Sequence, residues 1–580
     1  MTEINGVSVE IELAKRENHY TMYFQDDCTK HYVLSKYMPQ QDAIQKIGED
    51  KGNKQTVWII VGFALGYVVK ELINTISDKL SIIVIEPDEK LLNLQMEYEE
   101  NSELREKENI HFFSGEMDKN FVKSLAKCIP ESEINNIKIV CMEAYAEFFF
   151  DYVSQLKTKI DEILSDMIME MNTVKAHHNL YSQNVIRNRY DIEKSYRLDC
   201  LKGCYKDIPA LVVSAGPSLQ KNIEYIKEFK GVIFVGNRTI APVVNQGKKP
   251  DFVVVADPKD VILDTTQGKL ESDIPLIAND NASNRLIKEH KGKKYFVQTG
   301  SCSQELLGIN GIARISMGGS VATVCVSVAE YMGCNPIIFI GQDCAYTGMK
   351  IYSDDCSNEL INDKASNDVV QEGKQWIDEY YGGKVLSSKD LISFLRWIEN
   401  FIVDHPNTTF VNATEGGALM KGAVNKPFKE VVDEWQNVDK QQCVIEDKQV
   451  EVEQNVDEHL SDICNTLREL IKDANKAKNL SEQLKVEYKT YKGTRHNKIN
   501  NIVRKLDKID IKIKEQQEVL SAIRMIFNSF HNDTQTLLTN KAKINETEVE
   551  EGIRVGIESY NLYDNIVNTS KKLIKLIEEN

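Results

Sequence analysis

The chain has 580 residues, with 71 Lys and Arg against 88 Asp and Glu and a formal net charge of −17. That length predicts more than one domain, and 42% apolar residues allow sizeable cores. The acidic balance, without any arginine- or lysine-rich tract, excludes a nucleic-acid backbone as the main partner.

Met1 to Glu17 is mixed polar and lacks the apolar centre of a secretory signal. The longest apolar runs, such as Pro336 to Ile340, have strand length and are too short to span a bilayer. The 12 cysteines are scattered, with no Cys-x-x-Cys pair, which predicts a reduced, cytoplasmic protein. Cys325 and Cys334 stand in apolar settings and are read as core residues.

Residues 1–165 form the first expected domain. Val57 to Val61 reads as a strand, followed by Gly62-Phe63-Ala64-Leu65-Gly66 and a helical stretch to Ile76. Ile82 to Ile85 is a second strand, ending in Glu86-Pro87-Asp88, and Ile137 to Met142 is a third. A glycine turn after one strand and an acid after the next is a dinucleotide or methyl-donor pattern. Here it is only Gly-x-x-x-Gly, so a Rossmann-like domain kept for structure or docking is the preferred reading.

Residues 166–430 form the second expected domain, led by a helical linker. Ile160, Ile163, Met167, Met171 and Val174 share one apolar helix face. Asn179, Gln183, Asn184, Arg187, Asn188 and Arg189 follow as a polar, basic patch, read as a solvated face or as an arm into a neighbouring site. Leu211 to Val213 is then a buried strand, broken by Ser214-Ala215-Gly216-Pro217-Ser218. Val232 to Val235 breaks at Gly236-Asn237, Phe252 to Val255 at Ala256-Asp257-Pro258, and Ile274 to Ala278 at Asn279-Asp280-Asn281. Strands alternating with helices predict a parallel, doubly wound sheet, whose ligands bind at the carboxyl ends of the strands. Gly216 lets a ligand approach the backbone, and Ser218 can cap a helix whose free N–H groups attract a phosphate. Asn237, Asp257 and Asn279 are expected at the same edge. Gly318-Gly319-Ser320 opens another predicted helix and a second anion site. Residues 353–375 are polar and acidic and are read as an insertion or lid.

Residues 431–580 form the third expected domain. Val456, Leu460, Ile463, Leu467, Leu470, Ala474 and Ala477 repeat at spacings of four and three. Ile502, Leu506, Ile509, Ile513, Gln516, Leu520, Ile523 and Phe527 do the same, and a third helix is predicted over Val549 to Ile577. These are the core stripes of a helical bundle, a module for binding a partner or acceptor or for self-association into a homo-oligomer.

The second domain resembles the motility accessory factor family, which glycosylates flagellin. The resemblance rests on blocks standing in the family's order: Ala215-Gly216-Pro217-Ser218, Gly236-Asn237-Arg238, and Val255-Ala256-Asp257-Pro258. Met317-Gly318-Gly319-Ser320-Val321 leads on to Pro336-Ile337-Ile338-Phe339-Ile340-Gly341-Gln342-Asp343, and Asn412-Ala413-Thr414-Glu415-Gly416-Gly417-Ala418 closes the series. It implies an α/β protein: an N-terminal Rossmann-like domain, a central domain similar to bacterial sialyltransferases, and a C-terminal helical bundle. It also implies transfer of a nonulosonic acid, of pseudaminic or legionaminic type, from a CMP-sugar to Ser or Thr hydroxyls of flagellin.

Such a transfer needs the donor's nucleotide held, its leaving phosphate stabilised, and a proton taken from the attacking hydroxyl. Ser214, Gly216, Pro217, Ser218 and Asn237 are expected on the nucleotide. Asp257, Asn279, Gly318, Gly319, Ser320, Gln342 and Thr414 join them on the donor side. The similarity to sialyltransferases implies a tyrosine pair on the leaving phosphate, here Tyr346 and Tyr352 after Gly341-Gln342-Asp343. Those enzymes use a histidine base. His290, in Lys288-Glu289-His290-Lys291, and His405, in Asp404-His405-Pro406, read as surface residues outside the motifs. Asp343 or Glu415 remains as the base, a carboxylate tuned by burial. The sequence identifies no cofactor beyond the CMP-activated sugar as co-substrate. Asp257, Asp280, Asp343 and Glu415 leave a Mg²⁺ ion as an open expectation. Two other functions stay in view: an ATP-dependent enzyme resembling hydroxymethylpterin diphosphokinase, and a non-catalytic flagellin chaperone.

Overall fold

The computed structural model describes residues 2–4, 7–26, 29–77, 79–98, 101–271, 273–299, 303–356, 374–438, 440, 446–452, 454–490, 496–515 and 546–580. The chain forms two compact units. One comprises Met1–Ala176, Lys472–Lys512 and Asn528–Val567; the other comprises His177–Ile471, Ile513–Phe527 and Asn568–Asn580. The division passes through the helices Phe150–Glu193 and Val456–Lys489, so the C-terminal helices are shared between the units.

The first unit contains two sheets. β1 (Thr2–Ile4), β2 (Val7–Leu13), β3 (Tyr20–Asp26) and β4 (Thr29–Tyr32) form an antiparallel meander that the sequence reading did not anticipate. β2 alternates apolar with polar residues and averages to mixed polar, while β3 buries Thr21, Met22, Tyr23 and Phe24 in succession. The second sheet is parallel, with β5 (Val57–Val61), β6 (Ile82–Glu86), β7 (Ile110–Ser114) and β8 (Ile137–Cys141) in the order β7-β6-β5-β8. Trp58 and Ile60 pack into one core while Val57, Ile59 and Val61 pack into another, so β5 is covered on both faces. Two-sided burial is why these strands read as unbroken apolar runs.

The second unit is built on a nine-stranded sheet in the order β15-β13-β12-β11-β10-β9-β16-β19-β20, parallel at every pairing. Its strands are β9 (Ala210–Val213), β10 (Val232–Gly236), β11 (Phe252–Val255), β12 (Leu276–Asn279) and β13 (Lys294–Gln298). β15 (Ala313–Arg314), β16 (Ile337–Ile340), β19 (Phe410–Asn412) and β20 (Val424–Asn425) complete it. Two small antiparallel ladders lie apart: β14 (Ile309–Asn310) with β21 (Glu451–Val452), and β17 (Lys374–Asp378) with β18 (Lys384–Ser388). One core runs beneath the sheet, from Val212, Phe234 and Val254 to Phe339 and Phe410, and takes in the apolar helix Val321–Tyr331.

All seven first-stripe positions, Val456 to Ala477, are buried along the helix Val456–Lys489. Ile502, Leu506 and Ile513 are buried on the helix His496–Glu515. Gln516, Leu520, Ile523 and Phe527 lie outside the described residues, as do residues 357–373 of the expected lid. The third helix spans Glu548–Glu579. Cys325 and Cys334 are buried free thiols, whereas Cys204 is disulfide-bonded, which departs from the all-reduced expectation. Among the described residues no helix is long and apolar enough to cross a membrane.

Candidate active site

β9 lies between β10 and β16 in the large sheet. After β9 the chain passes to β10 on one side; after β16 it passes to β19 on the other. The two connections diverge, so the carboxyl ends of β9 and β16 flank the point where an open α/β sheet offers its ligand crevice. Three turns meet there: Ser214–Ser218, Gly341–Asp343 and Thr414–Gly417. They touch at glycines. A Cβ on Gly216 would strike the Asp343 carboxylate, one on Gly416 would strike Ser218 Oγ, and one on Gly417 would strike the Asp343 backbone. These positions admit no side chain because three strand ends converge on one spot.

Asp343 is the hub of this junction and is only 2% exposed. Its Oδ1 accepts hydrogen bonds from Ser218 Oγ at 2.7 Å and Thr347 Oγ1 at 2.6 Å, and the Ser218 N–H reaches both carboxylate oxygens at 3.2 Å. Burial raises its pKa above the ordinary value, and the Thr347 and Ser218 bonds oppose that shift. The anion on this turn is therefore the chain's own carboxylate, where a donor phosphate was expected. Ser218 makes no side-chain cap to the short helix Leu219–Asn222; its hydroxyl is turned to Asp343. Asp343 braces the turn.

Gln342 and Thr414 extend the brace. Ser214 Oγ donates to Gln342 Oε1 at 2.5 Å, and the Gln342 N–H donates to Thr414 Oγ1 at 3.2 Å. Asn222 Nδ2 donates to the carbonyls of Ala413 and Thr414 at 2.9 and 3.1 Å. Pro217 sits half-buried within the turn.

Farther along the edge, Asn237 Nδ2 donates to Thr265 Oγ1 at 2.7 Å, and Asp257 Oδ1 accepts from the Lys259 N–H at 2.9 Å. Asn279 Nδ2 donates to Asn281 and Thr299, while its buried Oδ1 has no partner. Gly318 and Gly319 lie against Trp397 and Phe394, where a Cβ would collide with either ring. Ser320 precedes the helix Val321–Tyr331, and its Oγ is buried without a hydrogen-bond partner. Gly236 packs on Val321, which sets this helix start against the end of β10.

The polar patch on the helix Phe150–Glu193 is divided in role. Asn184 Nδ2 donates to the carbonyls of Pro258 and Asn281, and Asn188 Nδ2 to those of Asp280 and Ala282. Both asparagines are buried and tie down the loops after β11 and β12. Arg187 and Arg189 line a cleft of about 320 Å³ with Tyr190, Asp191, Asn284, Lys288 and Asn580. That cleft does not include the β9–β16 junction. The side chain of Asn179 lies outside the described residues.

Both expected tyrosines carry a cation on the ring face. Lys374 Nζ stands 4.3 Å from the Tyr346 ring centre, and the Arg238 guanidinium 4.6 Å from that of Tyr352. The Ser353 N–H, beside Tyr352, donates to the Ala215 carbonyl, which draws this segment onto the turn after β9. Lys221 Nζ donates to the Glu415 carbonyl at 2.8 Å. Glu415 itself takes a left-handed backbone (φ 57°), and its Oε1 accepts the Phe428 N–H at 3.0 Å. Among the described residues, Lys221, Arg238 and Lys374 form no ion pair. A chain of net charge −17 thus carries unpaired cations along this edge, which favours an anionic ligand. Lys221 and Lys374 went unread in the sequence because no motif marks them. Arg238 stands within a quoted block, but only the fold shows its aromatic partner.

Of the two histidines, His405 is partly exposed, whereas His290 is not the surface residue the sequence predicts. His290 is completely buried, with neither ring nitrogen hydrogen-bonded among the described residues; burial, with Lys294 nearby, lowers its pKa to about 4. It ends the helix Asn284–Glu289 and precedes β13, on the edge opposite the junction. His405 precedes β19 on that same far edge, stacked on Phe401 with Nδ1 2.8 Å from the Phe401 carbonyl oxygen. Among the described residues no three His, Cys, Asp or Glu side chains gather in a way that could hold a metal ion.

In the first unit, the acid after β6 is closed off. Glu86 Oε2 accepts from Phe63 N–H, Gln95 Nε2 and Tyr145 OH at 3.1, 3.0 and 2.8 Å, and Oε1 is buried without a partner. Burial pushes its pKa up to about 8, against the opposing pull of those three donors. The Tyr145 ring fills the space over Gly62, where a Cβ would lie 2.6 Å from the ring. The place a ribose would take is occupied by this chain.

A family model described as 6-hydroxymethylpterin diphosphokinase MptE-like matches residues 183–349. That span runs from just before Asn184 through Asp343 and Tyr346. No curated protein matches the chain. Among solved structures, the MAf glycosyltransferase from Magnetospirillum magneticum AMB-1 is similar over 98% of this chain and 92% of its own, with a TM-score of 0.64 and 11% identity. The resemblance drawn from the motif blocks is thus matched by a shared α/β fold along nearly the whole chain.

Proposed function

We propose that this chain is a glycosyltransferase that moves a nonulosonic acid from its CMP ester to serine or threonine hydroxyls of flagellin, in the cytoplasm. The observation that carries the reading is the β9–β16 junction, where three turns converge beside two tyrosines and three unpaired cations. The fold shared with the MAf glycosyltransferase supports a transferase of this kind.

The residues divide the work as follows. The turn Ser214–Ser218, held by Asp343, offers the nucleotide a fixed backbone surface. Tyr346 and Tyr352 stand beside the leaving phosphate, whose charge grows as the bond from the sugar's anomeric carbon to the phosphate oxygen breaks. The acceptor hydroxyl attacks that carbon and gives its proton to Glu415. Glu415 is preferred over Asp343 as base because it is only partly buried, whereas Asp343 is enclosed by its donors. Asp343 becomes a positioning residue. Nothing in this scheme routes a step through a metal.

Intact mass spectrometry of flagellin, co-expressed with this protein and a CMP-nonulosonate pathway, tests the reading. The expected result is a gain in whole sugar units that disappears with Glu415→Gln. Unmodified flagellin in the presence of the donor would sink it.

The family match over residues 183–349 favours a second reading, transfer of pyrophosphate from ATP to a hydroxymethylpterin. Binding of ATP in place of CMP would select it.

A further inference from the structure

Lys374 opens β17, directly across the ladder from Ser388 of β18. Among the described residues its ammonium has no hydrogen-bond partner, and it is withdrawn from solvent. It lies 4.3 Å over the ring of Tyr346, itself 7% exposed. The Tyr346 N–H is fastened to the Leu386 carbonyl of β18, so ring and ammonium are fixed by the same hairpin. Asp343, three residues before Tyr346, turns its carboxylate to Ser218 and Thr347 and forms no ion pair with Lys374.

An ammonium carries three donors, and a ring face satisfies none of them as an oxygen would. A buried charge without a counter-ion costs more than a cation–π contact returns. The missing partner must be anionic and rich in acceptors, and it must fit beside a phenol ring at the carboxyl edge of β16. A phosphate meets each condition.

We infer that Lys374 is the counter-charge for the phosphate of a nucleoside 5′-monophosphate, with the Tyr346 ring as the floor of that subsite. The inference deepens the donor reading above and rests on it. It divides labour within the site: the turn after β9 faces the nucleoside, and the β17–β18 hairpin supplies the positive charge for the phosphate.

Calorimetric titration of the full chain with CMP and with cytidine tests this. Wild type should bind CMP at least about tenfold more tightly than cytidine. Lys374→Met should remove that difference and leave cytidine binding unchanged, while Lys374→Arg should keep most of it. Without ligand, Lys374→Met should melt at or above the wild-type temperature, since an unpaired buried charge is removed. A Lys374→Met protein that binds CMP like wild type overturns the inference. So does one that melts well below wild type without ligand, because Lys374 would then be structural. If wild type binds neither CMP nor cytidine, the donor reading falls, and inorganic phosphate decides for Lys374 alone. A phosphate-dependent rise in Tm, lost in Lys374→Met, would retain the anion subsite; no rise in wild type would remove it.

Discussion

Two parallel sheets in this chain end in the same way, with a glycine-bearing turn after one strand and an acid after another, and they have opposite fates. At the edge of β5 and β6, Tyr145 fills the space over Gly62 and Glu86 is sealed among Phe63, Gln95 and Tyr145. At the edge of β9 and β16, Asp343 is buried too, but Lys221, Arg238 and Lys374 stand around it without ion pairs among the described residues. The lesson concerns what marks a site. Polar strand ends occur at both edges and discriminate nothing. Charge left without a partner occurs at one, and it is the better guide to a ligand.

The sharpest way to break the comparison is to relieve the closed edge. Raising the Glu86 pKa from 4.5 to about 8 disfavours the ionised folded state by ~5 kcal/mol, at about 1.4 kcal/mol per unit. The sign follows from linkage. The folded protein holds its proton more tightly than the unfolded chain, so stability is greatest below pH 4.5 and falls as pH rises to about 8. Glu86→Gln should therefore flatten that decline and stabilise the protein most above pH 8. Urea unfolding at pH 5 and pH 9 measures it; an unchanged gap between the two midpoints would refute the sealed-carboxyl account.

At the open edge the largest effect is expected from Glu415→Gln. Turnover should fall by about 10²-fold or more with donor affinity nearly constant, as for loss of a base. Rapid-quench transfer rates together with donor titration would show it, and an unaltered rate removes Glu415 from the chemistry. Asp343→Asn should cost about 1–3 kcal/mol of stability, because an amide group replaces an acceptor facing Ser218 and Thr347. Its urea midpoint and CMP affinity should drop together, whereas Glu415→Gln should leave both in place. The smallest change is expected from Asn237→Ala, about 1 kcal/mol, because it loosens one bond to Thr265 at the rim. A several-fold weaker CMP isotherm, with Tm lowered by only a few degrees, is the expected reading.

Much of the fold was legible because burial writes itself into the sequence. Val57–Val61, Val232–Gly236 and Ile337–Ile340 are apolar on both faces, and the Val456–Ala477 stripe keeps its helical period. The β1–β4 meander was not legible, since β2 alternates apolar with polar residues and β1 and β4 are only three and four residues long. Very short strands such as β15 and β20, two residues each, carry too little pattern to be read. In the site, the turns were found but their internal economy was not: Ser218 bonds Asp343 and Gln342 bonds Thr414, each across more than 70 residues. His290 misled because Lys288, Glu289 and Lys291 around it are hydrophilic, while the ring alone is directed inward. Lys374 is one lysine among many until the fold shows that nothing answers its charge.

The junction also imposes a timetable. Ser214 meets Gln342 across 128 residues, and Lys221 meets Glu415 across 194. β9 is the middle of the sheet but among the first of its strands to leave the ribosome, and it must wait for β16 and β19 before its far side is paired. Contacts of such long sequence separation form slowly. A nascent chain halted before residue 410 would own most of the sheet and none of the finished crevice, so the protein is born without its activity and gains it only when its last strands arrive.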